Sequence, residues 1–102
     1  MFFAILSSFY ETKLNKEQFK YMFMTLKKLI LRKLFRHRVI GGKHTAVEHL
    51  AHGLPRHLVG DAKIVIEELI KEGFIIPKPT NYGLQVSLNP ERIEEIIKII
   101  ET

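Results

Sequence analysis

Apolar residues recur at helical spacing in the first third of the chain, across residues 16–38. The main stripe consists of Phe19, Phe23, Leu26, Ile30 and Leu34. This spacing predicts one long amphipathic helix. A second apolar set, on nearly the opposite side of that helix, consists of Met24, Leu31 and Phe35. Because a surface helix of a monomer needs only one apolar face, the second set predicts a further contact, either with a partner chain or with another segment of the same chain.

Two helices are predicted in the middle of the chain. Thr45 and Glu48 stand three residues apart, as in a capping box, and Gly53 can end this first helix in the left-handed conformation. A second helix is predicted over residues 59–72, because Gly73 follows it directly and an apolar stripe runs along it. That stripe consists of Ala62, Val65, Ile66, Leu69 and Ile70.

After Gly73 the apolar period changes from that of a helix to that of a strand. Leu84, Val86 and Leu88 alternate with polar residues, which predicts a half-buried strand paired with residues 74–76. An irregular loop is predicted between the strands, on the evidence of Pro77, Pro79, Asn81 and Gly83. A cap at Asn89 and a proline at the next position predict a C-terminal helix. Its buried face is predicted to consist of Ile93, Ile96, Ile97 and Ile100.

A chain of 102 residues is long enough for one modest core and too short for two. We predict a single compact domain with two parts, joined at a hinge formed by Gly41 and Gly42. Residues 1–42 form an apolar arm and a long basic helix that serve dimerisation, and residues 43–102 form the remainder. The dimer contacts are expected from Phe2, Ile5, Leu6, Phe9, Met24, Leu31 and Phe35. The apolar residues 1–9 are too few to span a bilayer, so we expect no membrane partner and a cytoplasmic location.

Positive charge is concentrated in the first part of the chain. Eleven Lys or Arg residues and three Glu residues precede Asp61, a balance of +8, whereas the remainder carries five against eight, or −3. The densest group consists of Lys27, Lys28, Arg32, Lys33, Arg36, Arg38 and Lys43. Polyanion binding is the functional interpretation, because neutralising phosphates releases counterions. A solvated helix in a basic protein is the alternative.

The order of these elements resembles the winged helix-turn-helix family. The resemblance covers roughly residues 44–100 and includes the pair Leu50-Ala51, followed by Leu69-Ile70-Lys71-Glu72-Gly73-Phe74-Ile75. It implies an α+β fold, a winged helix-turn-helix with an extra long N-terminal helix and a C-terminal helix. It also implies a duplex DNA-binding protein that is not an enzyme, with a role in transcription regulation or chromatin. Because unrelated functions use this fold, the resemblance alone does not decide the function.

Docking as in that family would make residues 59–72 the recognition helix. Its exposed positions would be Gly60, Asp61, Lys63, Ile64, Glu67 and Lys71. Lys63 would contact DNA there, and Ile64 would contact a thymine methyl group or a protein. No Arg, Asn or Gln stands at these positions for bidentate base contacts, so phosphate contacts are expected to dominate. Those contacts are expected from Lys43, His44, Thr45, Arg56, His57, Lys78, Thr80, Asn81 and Tyr82.

The sequence gives less support to other functions. Without cysteine, and without an acid converging on them, His44, His49, His52 and His57 favour a solvated or phosphate-binding role over a metal site. The serines lack a His-carboxylate setting, which argues against nucleophilic catalysis, and no cofactor or small-molecule substrate is indicated. Tyr82 either contacts a ligand at the wing or packs over the strand pair. A protein-protein interaction module and a structured-RNA binder remain as alternative functions.

Overall fold

The computed structural model describes residues 16–102, and Phe2, Ile5, Leu6 and Phe9, with their predicted dimer contacts, lie outside that range. Four α-helices and three strands follow one another in this part of the chain. The helices are α1 (Lys16–Arg36), α2 (Val47–Ala51), α3 (Val59–Lys71) and α4 (Ile93–Glu101). The strands are β1 (Thr45–Ala46), β2 (Ile75–Thr80) and β3 (Gly83–Leu88). One-turn 3₁₀ helices precede α3 and α4, at Arg56–Leu58 and Pro90–Arg92.

The strands form one antiparallel sheet in the order β1-β3-β2, so the fold is α+β. The core between sheet and helices draws side chains from every helix and from β2 and β3. It consists of Leu26, Ile30, Leu31, Leu34, Leu50, Ala62, Val65, Ile66, Leu69, Ile75, Val86, Leu88 and Ile96. In α4, Ile99 packs against this core where the spacing predicted Ile97. Within residues 16–102 no helix is both long and apolar enough to cross a lipid bilayer.

The long helix α1 is confirmed, and the interpretation of its second apolar set is corrected. Leu31 has no exposed surface and belongs to the core of the single chain, so it is not on a surface that a partner could reach. Phe35 also packs against the core, whereas Met24 is 60% exposed. The reason is that α1 contacts α2, α3, α4 and β3, which bury it on more than one side in its C-terminal half.

The ends of α1 and α3 have the same hydrogen-bonding pattern. After α1 the N–H of Val39 donates to Leu34 O at 2.9 Å, and after α3 the N–H of Phe74 donates to Leu69 O at 3.0 Å. Both are Schellman ends, which place one residue in the left-handed region. Gly73 takes that position after α3 with φ 83°, as the sequence predicted, whereas Arg38 takes it after α1 with φ 56°. Helix α1 therefore ends at Arg36, two residues earlier than predicted.

The predicted capping box at Thr45 and Glu48 is wrong. Thr45 lies in β1, where it pairs with Val86, and α2 begins after Ala46 without a side-chain cap. The Thr45 hydroxyl instead lies 3.2 Å from His49 Nδ1. Pairing with β3 explains the difference, because the strand continues through Ala46 and the N-cap position falls on this residue, whose methyl side chain cannot accept a hydrogen bond.

The loop predicted between the strands is a tight hairpin. Strand β2 continues through Pro77, Lys78 and Pro79 to Thr80, and only Asn81 and Tyr82 form the turn. Two prolines are tolerated because β2 is an edge strand, on which alternate residues make no ladder bonds. The turn is fixed by the Thr80 hydroxyl, which donates to Gly83 O at 2.7 Å and accepts from Tyr82 N–H at 3.2 Å.

The segment between α1 and β1 is bonded to the sheet and is not a free hinge. Gly41 N–H donates to Leu88 O, and Leu88 N–H donates to Val39 O. Ile40 forms a parallel bridge with Leu88. Gly41 therefore lies beside β3, and α1 shares one core with the rest of the described chain.

Candidate nucleic-acid interface

The exposed side of α3 and its preceding turn forms the first part of the candidate interface. Its exposed residues are Arg56, His57, Gly60, Lys63, Glu67 and Lys71. Asp61 is only 1% exposed and Ile64 9%, so the prediction that both lie on the recognition surface is wrong. Because α3 packs against α1, α2 and β2, its buried face is wider than the single stripe that the sequence indicated. Ile64 therefore cannot meet a thymine methyl group from this position.

Burial of Asp61 changes the charge of this surface. The exposed positions at the start of α3 carry Arg56, His57 and Lys63, and the nearest exposed acid on the helix is Glu67, one turn beyond Lys63. Gly60 lies between Arg56 and Lys63, and a Cβ atom there would have no atom within 4 Å apart from its chain neighbours and the backbone of its own helix. The N-terminal half of α3 thus presents cationic side chains around a position where a ligand could approach the backbone closely.

The hairpin forms the second part. Tyr82 at its turn is 95% exposed, which rules out packing over the strand pair. Lys78 and Asn81 are also exposed. The Thr80 hydroxyl proton is donated within the turn, so Thr80 orders the hairpin. The tip of the hairpin therefore presents the ring of Tyr82 and the amide of Asn81. The ammonium group of Lys78 lies on the preceding strand, two residues before Thr80.

The sheet brings the hairpin next to the start of α2. Ala46 and Lys78 both pair with Gln85, from opposite sides of β3, so these three residues form one row across the sheet. Adjacent strands lie about 4.8 Å apart, so Ala46 and Lys78 are separated by two such spacings. A methyl group on Gly83 would lie 3.9 Å from Glu48 Oε1, which places an acid beside the base of the hairpin. Lys43 is exposed and His44 half-buried in the segment before β1.

The dense basic group on α1 is arranged differently from the prediction. Lys33 Nζ donates to His49 O at 2.8 Å and to His52 O at 2.9 Å, at the end of α2. Arg32 Nη2 donates to Ile100 O at 3.3 Å, and Lys28 Nζ donates to Thr102 O, at the end of α4. Helix C-termini carry unsatisfied carbonyls and partial negative charge, so cations stabilise them.

The same arrangement occurs at the end of α3. Lys27 Nζ lies 2.9 Å from Glu72 Oε1, and Arg92 Nη1 donates to Glu72 O at 2.9 Å. Arg92 also lies over the Phe74 ring, 4.5 Å from its centroid, and pairs with Glu95 at 2.7 Å. The hydrogen bond from Arg92 lowers the pKa of Glu95, and the same bond raises the pKa of Arg92. Four of the seven residues in the basic group are therefore bonded within the chain.

The histidines do not assemble into a metal site. Within the described part of the chain, no three His, Asp or Glu side chains come together in a way that could hold a metal ion. His49 and His52 are exposed, as the sequence predicted, and their carbonyls accept from Lys33. His57 is exposed in the turn before α3.

Comparison of the chain with protein-family models, with curated proteins and with solved structures found no match.

Proposed function

We propose that this chain is a winged helix-turn-helix protein that binds duplex DNA, mainly through phosphates, in transcription regulation or chromatin. The observation that carries the proposal is the order of elements β1-α2-α3-β2-β3, with the strands arranged β1-β3-β2. In this order α3 takes the place of the recognition helix and the β2-β3 hairpin that of the wing. Each of these parts presents exposed cations.

The exposed stripe of α3 supports the docking. Arg56, Gly60, Lys63, Glu67 and Lys71 are separated by three or four residues and so lie along one side of the helix. Its N-terminal half is basic, and this is the half that such proteins direct into the major groove. Lys78 and Tyr82 extend the surface to the hairpin. Together these groups are suited to binding the phosphate backbone of DNA, with the hairpin over the groove next to the one that α3 occupies.

The same stripe favours binding with little base selectivity. None of its exposed α3 positions carries Arg, Asn or Gln, the side chains that make bidentate base contacts. Lys63 and Lys71 can each neutralise a phosphate, whereas Glu67 between them repels one. Burial of Ile64 also removes the apolar contact that could have read thymine. Affinity on this surface therefore comes from charge and shape.

The binding experiment follows fluorescence anisotropy of a labelled random duplex DNA across a salt series, with duplex RNA and single strands as competitors. We expect affinity for duplex DNA to fall steeply with salt, and Arg56→Ala, Lys63→Ala or Lys78→Ala each to reduce the log–log slope by about 0.9. Lys98→Ala is the matched control, because Lys98 is an exposed lysine on α4, outside the candidate interface.

Three results would contradict the proposal. Equal slopes for Lys98→Ala and Lys63→Ala would mean that only net charge matters, and preference for duplex RNA would favour the structured-RNA alternative. Absence of binding at 50 mM salt would favour the protein-protein interaction module. Glu67 in the middle of the α3 stripe is the observation that favours this second candidate, because an acid there opposes phosphate.

A homodimer is part of the same proposal. Tyr21 is 74% exposed and Met24 60% exposed, one turn apart on the N-terminal half of α1. Large apolar side chains grouped on a surface commonly mark a contact with another chain, and two copies would set two hairpins on one duplex. Sedimentation should show a dimer at tens of micromolar that Tyr21→Glu with Met24→Glu dissociates without unfolding. A monomer in the unmutated protein would end this part of the proposal, and Lys20→Glu is the control for added negative charge.

A further inference from the structure

A cleft with cationic and apolar walls lies between the C-terminal half of α1 and the segment 45–54, which contains α2. Its two adjoining parts have volumes of about 290 and 260 Å³ and share Lys33, His37 and Leu50 as walls. Small-molecule sites span roughly 300–1,000 Å³, so each part approaches the lower limit of that range and the two together lie within it. The first part is closed by Thr45 and His49, and the second by Leu54.

The walls of the cleft combine apolar side chains with positively charged ones. Leu34, Leu50 and Leu54 supply an apolar floor, of which Leu34 and Leu50 are buried. Arg32, Lys33 and Arg36 supply positive charge at the rim, together with histidines from three positions. No Asp or Glu of the described chain lines either part. An apolar floor with a few convergent polar groups is the usual composition of a ligand site.

Two of the rim groups are available for a ligand. Lys33 and Arg32 are held by the carbonyls at the ends of α2 and α4. Among residues 16–102, Arg36 and His37 have no hydrogen bond or ion pair of their side chains, and they occupy consecutive positions at the rim. A guanidinium is a fork of donors that matches a carboxylate, a phosphate or a sulfonate. The fixed cations add a positive field without needing to move.

We propose that this cleft binds a small organic anion, with its apolar body against Leu50 and its acidic group at Arg36 and His37. Such a ligand would touch α1, Thr45 of β1 and the second half of α2 at once. Because α2 packs directly against α3, occupancy changes how α3 is held and acts as an effector signal. That regulatory effect rests on the proposed DNA binding, whereas the site itself does not.

The test compares 2-naphthoate with the neutral 2-naphthamide, which has the same ring system and nearly the same shape. Each is titrated into ¹⁵N-labelled full-length protein without DNA, and amide resonances report both the affinity and the location. We expect 2-naphthoate to saturate with a Kd of roughly 1 mM or tighter, and 2-naphthamide to bind more weakly. The largest shifts should come from Lys33, His37 and Leu50.

Arg36→Ala should weaken 2-naphthoate about tenfold and leave 2-naphthamide unchanged, because it removes only the charge-assisted contact. Arg38→Ala is the matched control, since Arg38 is an exposed arginine outside the cleft walls. His37→Ala provides a second variant at the rim. Absence of saturable shifts, equal affinity for the two probes, or equal loss in the two arginine variants would each overturn the site.

The effector role is measured separately, as duplex DNA affinity with and without saturating 2-naphthoate. A change in affinity that Arg36→Ala abolishes supports the role. Unchanged DNA affinity at full occupancy overturns the regulatory effect and leaves the site standing. Failure of DNA binding itself, with intact 2-naphthoate binding, contradicts the proposed function alone.

Discussion

Two groups of cations in this molecule have opposite surroundings. One group, called the engaged group, lies on α1 and donates to carbonyl or carboxylate oxygens at the ends of three other helices. It consists of Lys27, Lys28, Arg32 and Lys33. The other, called the exposed group, lies on the turn before α3, on α3 and on the hairpin. It consists of Arg56, Lys63 and Lys78. The first group is the denser in sequence, yet the second is the better placed to meet a ligand. Density of charge along a chain therefore does not locate a polyanion surface.

The difference follows from helix packing. Each helix end leaves up to four carbonyls without intrahelical partners, and packing α2, α3 and α4 against α1 brings those ends to its side. A lysine or arginine on α1 within reach of such an end becomes a cap, because the carbonyls concentrate partial negative charge. Cations on α3 and the hairpin meet no such end and stay hydrated.

The largest expected effect comes from removing the exposed group. Combining Arg56→Ala, Lys63→Ala and Lys78→Ala should lower the log–log salt slope by about three units and weaken duplex DNA binding by roughly 10²–10³-fold. Stability should change little, since exposed side chains without partners rarely contribute more than about 0.5 kcal/mol each. Anisotropy and urea unfolding measure the two quantities. A large loss of stability with an unchanged slope would reverse the comparison between the groups.

The engaged group should respond in the opposite way. Lys33→Met keeps the aliphatic stem and removes the ammonium that bonds two carbonyls at the end of α2, so it should destabilise the fold by about 1–2 kcal/mol. Its effect on the salt slope should be small. Lys63→Met is the control and should stay within about 0.5 kcal/mol of the parent in urea unfolding. A slope reduced by one unit at full stability would move Lys33 into the exposed group.

A smaller effect distinguishes a bond to a carboxylate from a bond to main-chain carbonyls within the engaged group. Lys27 meets a carboxylate, Glu72, and both side chains are partly exposed, at 26% and 40%. Such a pair is worth about 0.2–1 kcal/mol and is screened by salt. Lys27→Met should therefore destabilise less than Lys33→Met, and its loss should shrink further in 1 M salt. A loss that equals that of Lys33→Met at both salt concentrations would refute this distinction.

The smallest effect concerns pH. Arg92 lowers the pKa of Glu95 in the folded state, so the folded chain binds fewer protons there than the unfolded chain. The resulting stability is present above the ordinary pKa of glutamate, about 4.3, and is lost as the pH falls through the lowered value. The difference in Tm between the parent and Glu95→Gln should thus narrow on acidification from pH 6 to pH 3. A difference that stays constant over this range would show that Glu95 acts through something other than its charge.

Much of the fold could be predicted where local chemistry decides. Gly73 ends α3 as expected because the left-handed position favours a residue without a side chain, and Asn89 accepts from Glu91 N–H at 3.0 Å as a cap. Arg38 occupies the equivalent position after α1 without any local signal, since arginine seldom adopts positive φ. The capping box at Thr45 failed because pairing with β3, a contact distant in sequence, took precedence.

Predictions about the candidate site likewise succeeded where the local sequence decides and failed where packing between distant elements decides. Exposure of Lys63 and Lys78 was predicted and is confirmed. For Tyr82 the sequence left packing over the strand pair as an alternative, and its 95% exposure decides against that alternative. Asp61 and Ile64 were placed on the surface from a single apolar stripe, but three neighbours pack around α3. The spacing of apolar residues along a helix does not show how many other elements pack around it. For the same reason the carbonyl partners of Lys33 and Arg32 could not be predicted, because they belong to helices far away in sequence.

The hairpin leaves the outer edge of the sheet exposed, and the chemistry of β2 makes that edge a poor template. Thr80 and Gly83 flank the two-residue turn, so Ile75, Pro77 and Pro79 are the residues whose backbone groups point away from β3. Two of these three positions have no N–H to offer. A strand from a neighbouring copy would find acceptors there and almost no donors. Copies of the chain crowded together would therefore not join into a continuous sheet through this edge.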